Sequence, residues 1–279
     1  MPVRFGPAGI PLGFKGGTVA GIAYAADMGL TAFECEFVRG VNLSLEAAAE
    51  AGDVARERDV LLSCHCPYWI NCSPRLESKV KIALRGIIQS ARAAQAMGAW
   101  IIVLHPGYYM GRKPEEAEKK ALDTLEKALE MMEAEGIDDV VLGLETTGKR
   151  TQLGTLDEVI DMSQVLGRAL PVVDFAHIHA RNNGSISRRE DYGEIFAKVE
   201  DELGAKVAKN LHCHFSEIEY TEKGERRHLI LGEKDSPPYR PLAEEIAYGG
   251  WEPTIISESP LIDQDALKMK GILEDIMGK

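Results

Sequence analysis

Six short apolar runs in this chain each end in a group that can bind a cation. His65 closes Leu61-Leu-Ser-Cys-His-Cys66, and His105 closes Ile101-Ile-Val-Leu-His-Pro-Gly107. Glu145 closes Val141-Leu-Gly-Leu-Glu-Thr-Thr147, and Asp174 precedes His177 in Val173-Asp-Phe-Ala-His177. His212 and His214 share one run, and Glu258 lies in Ile255-Ile-Ser-Glu-Ser-Pro260. Taken singly, each has a plain reading as a core histidine or a loop carboxylate. Their recurrence at the same place in successive runs points elsewhere. A buried polar group without a partner costs ~2–7 kcal/mol, and a divalent cation would satisfy several at once. Imidazole with carboxylate suits Zn, Mn or Fe.

The elements that must position these groups alternate along the chain. Strand-like runs are expected at Val3–Gly6, Ala32–Phe37, Val60–Cys66, Trp100–His105, Val140–Glu145, Pro171–Phe175, Ala208–Phe215 and Thr254–Glu258. Helices are expected at Thr18–Met28, Ser44–Arg58, Arg75–Met97, Pro114–Glu135, Thr155–Leu166, Arg189–Leu203, Leu242–Tyr248 and Asp263–Met277. Capping hydroxyls or proline followed by acids mark several helix starts, as at Ser44, Pro114 and Thr155. Strand–helix units repeated in this way imply parallel strands with crossover helices. The expectation is an α/β fold, a (β/α)8 TIM barrel, formed by residues 1–279 as a single domain. An open doubly wound sheet is the alternative. No G-x-G-x-x-G follows the first strand and no phosphate-binding P-loop is present, which argues against a nucleotide cofactor. In a barrel, the carboxyl ends of the strands converge on one face, so the six runs would deliver their side chains to one mouth.

The composition sets further limits. The net charge of −12 rules against a general basic surface for nucleic acid, since phosphate contacts need Lys and Arg. It leaves room for a local cation-lined cleft. The cysteines number five, which argues against a secreted disulfide framework. Cys64 and Cys66 should point opposite to His65 on a strand and are expected in the core. No apolar run approaches the ~18 residues that span a bilayer. Met1–Gly17 shows no secretory pattern, and a cytoplasmic location is expected; the chain is also expected to be a monomer.

These residues, in this order, resemble the endonuclease IV family of metal-dependent apurinic/apyrimidinic endonucleases, within the xylose-isomerase-like barrels. The resemblance rests on His65-Cys-Pro-Tyr-Trp-Ile-Asn71, His105-Pro-Gly107, Leu144-Glu-Thr-Thr-Gly148, Gln152-Leu-Gly154, Asp174-Phe-Ala-His177, His228-Leu-Ile-Leu-Gly-Glu233 and Ile256-Ser-Glu-Ser-Pro260. It implies a first metal on His65, His105 and Glu145, and a second sharing Glu145 and adding Asp174, His214 and Glu258. His214 is preferred to His212, which would lie deeper on the same face. A third metal would use His177 and His228. The family's Asp two residues before that last His is replaced here by Arg226, so the third metal is expected to bind weakly or not at all, unless Glu225 swings in.

The resemblance further implies Zn2+, with Mn2+ as a possible substitute, and damaged double-stranded DNA as partner. Glu145 would be the catalytic bridge. Arg39, Tyr68 and Trp69, in loops after the second and third strands, would meet the DNA. The rival is a sugar isomerase or epimerase of the same barrel class. It needs one cation, held by Glu145, Asp174, His214 and Glu258, and leaves His65, His105 and His228 unused.

Overall fold

A computed structural model describes residues 2–278. The chain begins with β1 (Arg4–Pro7), α1 (Thr18–Asp27), β2 (Ala32–Glu36), α2 (Leu45–Glu57), β3 (Leu61–His65), α3 (Glu77–Met97), β4 (Ile101–Leu104), β5 (Gly107–Tyr108) and α4 (Pro114–Ala134). It continues with β6 (Val141–Glu145), β7 (Gln152–Leu153), α5 (Leu156–Leu166), β8 (Ala169–Asp174), α6 (Phe175–Arg181), α7 (Arg189–Leu203) and α8 (Ala205–Lys209). It finishes with β9 (His212–Phe215), β10 (Glu217–Thr221), β11 (Gly224–Leu229), α9 (Tyr239–Gly249), β12 (Thr254–Ser257) and α10 (Ile262–Met277). Eight strands pair in the order β1-β12-β9-β8-β6-β4-β3-β2, every pair parallel. The expected TIM barrel is therefore present.

Closure happens between β1 and β2. Thr31 N donates to Phe5 O at 3.0 Å and Gly9 N donates to Glu34 O at 2.9 Å. The seam is tight at Gly6: a Cβ there would lie 2.2 Å from the Ala32 carbonyl oxygen. Backbone cannot move aside as a flexible side chain can, so only glycine fits.

Alternation along the strands sorts the side chains. Leu62, Cys64, Ile102, Leu104, Leu142, Leu144, Val173, Cys213 and Ile255 face outward and join the helices in one large core. Cys64 and Cys66 belong to that core, as expected. Inside the barrel, Ile101, Val103 and Val172 form a small separate cluster with Trp100 packed on it. Toward the carboxyl ends the interior turns polar. Glu34 on β2 reaches His212 and His214 on β9, although these strands are not neighbours in the sheet, so these side chains cross the interior.

Local signals behave as read at several points. Ser44 Oγ accepts from Ala47 N, Thr155 and Glu158 form a capping box, and Gly98 closes α3 in the left-handed conformation. Two strand boundaries differ. Phe175 opens α6 instead of ending a strand, because Asp174 accepts from His177 N at 2.7 Å and caps a helix. Residues 205–209 form α8, and β9 begins only at His212. The β10–β11 hairpin and the short β5–β7 ladder lay outside the sequence reading. Among the described residues, no helix is long and apolar enough to cross a membrane.

The seam yields a test. Gly6→Ala should destabilise the protein by about 2 kcal/mol or more, as overpacking against unyielding atoms does. Urea unfolding measures it, and an unchanged midpoint would contradict a closed barrel with this contact.

Candidate metal centre

The polar interior is centred on Glu145, which ends β6 with no exposure to solvent. Its Oε2 lies 3.1 Å from Nε2 of His65 and 2.9 Å from Nε2 of His105. Its Oε1 lies 3.3 Å from Nδ1 of His214 and 3.2 Å from Nδ1 of His177. Glu258 Oε1 approaches Nδ1 of His214 at 3.1 Å. Asp174 stands beside them, with Oδ2 3.4 Å from Nδ1 of His177.

The donors sort into adjoining sets, each with ligand atoms within 4.8 Å of one another: His65, His105 and Glu145; Glu145, Asp174, His214 and Glu258; His177, Glu225 and His228. Ligands about 2.1 Å from one cation lie roughly 3–4.2 Å apart, and the contacts of 2.9–3.7 Å within the sets suit single ions. Buried atoms without a hydrogen bond support the fit, Asp174 Oδ2 among them. The outer contacts fit too. Cys66 O accepts from Nδ1 of His65 at 2.8 Å, and Thr146 O accepts from Nδ1 of His177 at 2.9 Å. Each leaves Nε2 as the free lone pair, the usual arrangement around a metal-binding histidine.

The structure thus brings together His65, His105, Glu145, Asp174, His177, His214, His228 and Glu258 at the expected mouth. His212 lies deeper, 2.9 Å from Glu34. In the third set Glu225, the alternative to the Arg226 position, joins His177 and His228. The β10–β11 ladder shifts register between Glu219 and Tyr220: Glu219 pairs with Arg227 and Tyr220 with Glu225, so Arg226 is the extra residue of a bulge. Arg226 therefore points away, toward Glu219 at 3.5 Å. Glu225 takes the inward position, its Oε2 3.7 Å from Nε2 of His177. The His177 and His228 rings meet edge to face at 5.4 Å.

Arg39, Tyr68 and Trp69 sit together on the rim. Trp69 Nε1 donates to Arg39 O at 3.1 Å, tying the two loops, and Tyr68 is 62% exposed. Sequence reading passed over Glu34 and Glu36, although two acids spaced by one residue in an apolar strand were the available signal. Glu36 Oε1 is buried without a partner, and the residue borders a cleft shared with Thr18, Arg39 and Asn42.

Charges in the centre are strongly displaced. Burial opposes the charge on Glu145, but His105 and His214 outweigh it and keep the carboxylate ionised. Burial likewise opposes the His65 cation, yet Glu36 and Glu145 hold its pKa up at about 10. Burial raises the Glu36 carboxyl to about 8 against the pull of His65. In metal-free protein both groups keep protons that the unfolded chain releases. The stabilisation from His65 is complete below pH 6.5 and is lost as pH rises through about 10. Glu36 costs stability as pH rises from 4.5 to about 8, the same sign.

Cations demand neutral imidazoles and so bind better as pH rises. Melting curves with chelator and with zinc, from about pH 5 to pH 9, should separate progressively. Curves that converge at high pH would contradict a histidine-held metal centre.

An uncharacterized protein of Methanocaldococcus jannaschii is 35% identical over 263 residues, 94% of each chain. A probable endonuclease 4 of Mycoplasma pneumoniae is 31% identical over 174 residues, 61% of this chain and 57% of its own. That match spans little more than half of the relative's length. A solved D-tagatose 3-epimerase-like protein superposes with a TM-score of 0.73 at 20% identity, over 99% of this chain and 98% of that one. Endonuclease IV from Thermus thermophilus superposes with 0.72 at 18% identity, over 98% and 99%. At such identities these two share the fold. Residues 22–273 match the family described as xylose isomerase-like TIM barrels, and the chain belongs to that family.

Proposed function

We propose that this protein is a metal-dependent phosphodiester hydrolase that cleaves DNA on the 5′ side of abasic sites. One observation carries the reading. His65 and His105 converge on Oε2 of Glu145, beside a set that is already complete for one cation. When bound, divalent cations in adjoining sets supply Lewis acidity toward a phosphate and make water acidic near neutral pH. Zinc suits the nitrogen and oxygen donors, and manganese is the nearest substitute.

The chain's own residues would do the rest. Glu145 fixes the separation of the first two sets and keeps negative charge between them. His177, Glu225 and His228 extend the line of donors along the mouth, giving a phosphate several points of fixation. Tyr68 and Trp69 offer aromatic surface at the rim, where a base or an abasic gap could be probed. Arg39 offers a phosphate contact. With a net charge of −12, affinity for DNA would come from this mouth and not from the general surface. The endonuclease 4 similarity supports the same reading.

A sugar isomerase or epimerase is the second reading. It is favoured by the Glu145, Asp174, His214 and Glu258 set, which alone supplies a one-cation site with flanking carboxylates. The two readings differ on His105. In a nicking assay on a duplex with one abasic analogue and added zinc, Glu145→Gln and His105→Ala should each lower the rate at least ~100-fold, the scale of losing an electrostatic contact made in the transition state. Circular dichroism should show both folded. A parent that leaves the duplex intact but epimerises ketosugars, with His105→Ala still active, would contradict the hydrolase.

A further inference from the structure

Beneath the metal sets, the barrel interior holds a second polar layer. Glu34 crosses from β2 with no exposure to solvent. Its Oε2 accepts from Ser63 Oγ at 2.7 Å and from Nε2 of His212 at 2.9 Å. Its Oε1 lies 2.9 Å from Nε2 of His214. That contact is off the line of a good hydrogen bond, and neither atom has an aligned partner elsewhere among the described residues. They are left to serve each other.

His214 is the residue shared by both layers. Its Nδ1 faces Glu258 and Glu145, while Nε2 faces Glu34. A neutral imidazole carries a single N–H, so presenting the Nδ1 lone pair to a cation requires the proton on Nε2. His65 and His177 settle the same question with backbone carbonyls. His214 has Glu34 instead.

We propose that Glu34 is a positioning residue of the metal centre: by accepting the Nε2 proton of His214, it fixes the tautomer and ring orientation that aim Nδ1 at the Glu145, Asp174 and Glu258 carboxylates. Ser63 and His212 hold Glu34 in place. The Trp100 and His212 rings meet edge to face, their centroids 5.9 Å apart.

A cation among Glu34, His212 and His214 is the competing account, since their donor atoms also lie within 4.8 Å of one another. Held by Nε2 of His212, it would displace the hydrogen bond from that atom to Glu34. It would also require His214 to lose both ring protons. Carboxylate–histidine pairing needs neither.

The inference rests on the metal reading of the mouth and not on the substrate. Zinc titration of metal-stripped protein by calorimetry tests it. Glu34→Leu should weaken one zinc by about 10–100-fold, the usual cost of losing such a partner, and leave the remaining zinc sites at parent affinity. Glu34→Gln, which retains an acceptor oxygen, should recover most of the loss. Ring 15N spectra of the zinc-loaded parent should show a proton on Nε2 of His214 and none on Nδ1, and this holds even if the leucine variant fails to fold. Unchanged zinc affinity in Glu34→Leu would overturn the proposal alone, as would an unprotonated Nε2 on His214, the signature of a deep cation. A parent that binds no zinc would overturn the metal reading with it.

Discussion

Both oxygens of one buried carboxylate are crowded by imidazoles. His65 and His105 approach Oε2 of Glu145, and His177 and His214 approach Oε1. Such a cluster is tolerable only where the surroundings hold it rigidly, because every unpaired charge at this depth is costly. The barrel supplies that rigidity. β6 carries Glu145 between β4 and β8, while β3 and β9 bring His65 and His214 from either side. Closure at the Gly6 seam completes the ring, so β2 and β9 face one another across the interior.

The same constraint explains the division of the interior. Part of it is filled by Ile101, Val103 and Val172, which ask for nothing but contact. Another part is the Glu34, Ser63 and His212 group, hydrogen-bonded within itself. The metal sets lie above that, where Asp174, His177, Glu225, His228 and Glu258 come from strand ends, one short helix and one hairpin. Asp174 has two duties: one oxygen caps α6 through His177 N, and the other is left without a hydrogen bond among the donors. The helix cap thereby also orients His177.

Much of this was legible in the sequence, and the losses have physical causes. His65, His105, Glu145 and Glu258 were readable because each terminates an apolar run, and strand ends share a face in any parallel barrel. Glu34 and Glu36 were not, because Ala32-Phe-Glu-Cys-Glu-Phe37 reads equally well as a strand with one solvated face; only closure turns that face inward. Arg226 misled for a different reason. Counting back two residues from His228 assumes regular alternation, and a bulge breaks it, so Glu225 takes the inward place. A bulge is a property of two paired strands, and β10 lay outside the sequence reading.

At the heart of the proposed function, Glu145 joins two cation sets, with a third adjoining. Diffraction from crystals grown with zinc, recorded on both sides of the zinc absorption edge, tests this directly. Anomalous peaks are expected within His65–His105–Glu145, within Glu145–Asp174–His214–Glu258, and within His177–Glu225–His228. A single peak inside the Glu145–Asp174–His214–Glu258 set, with His65 and His105 empty at saturating zinc, would contradict it.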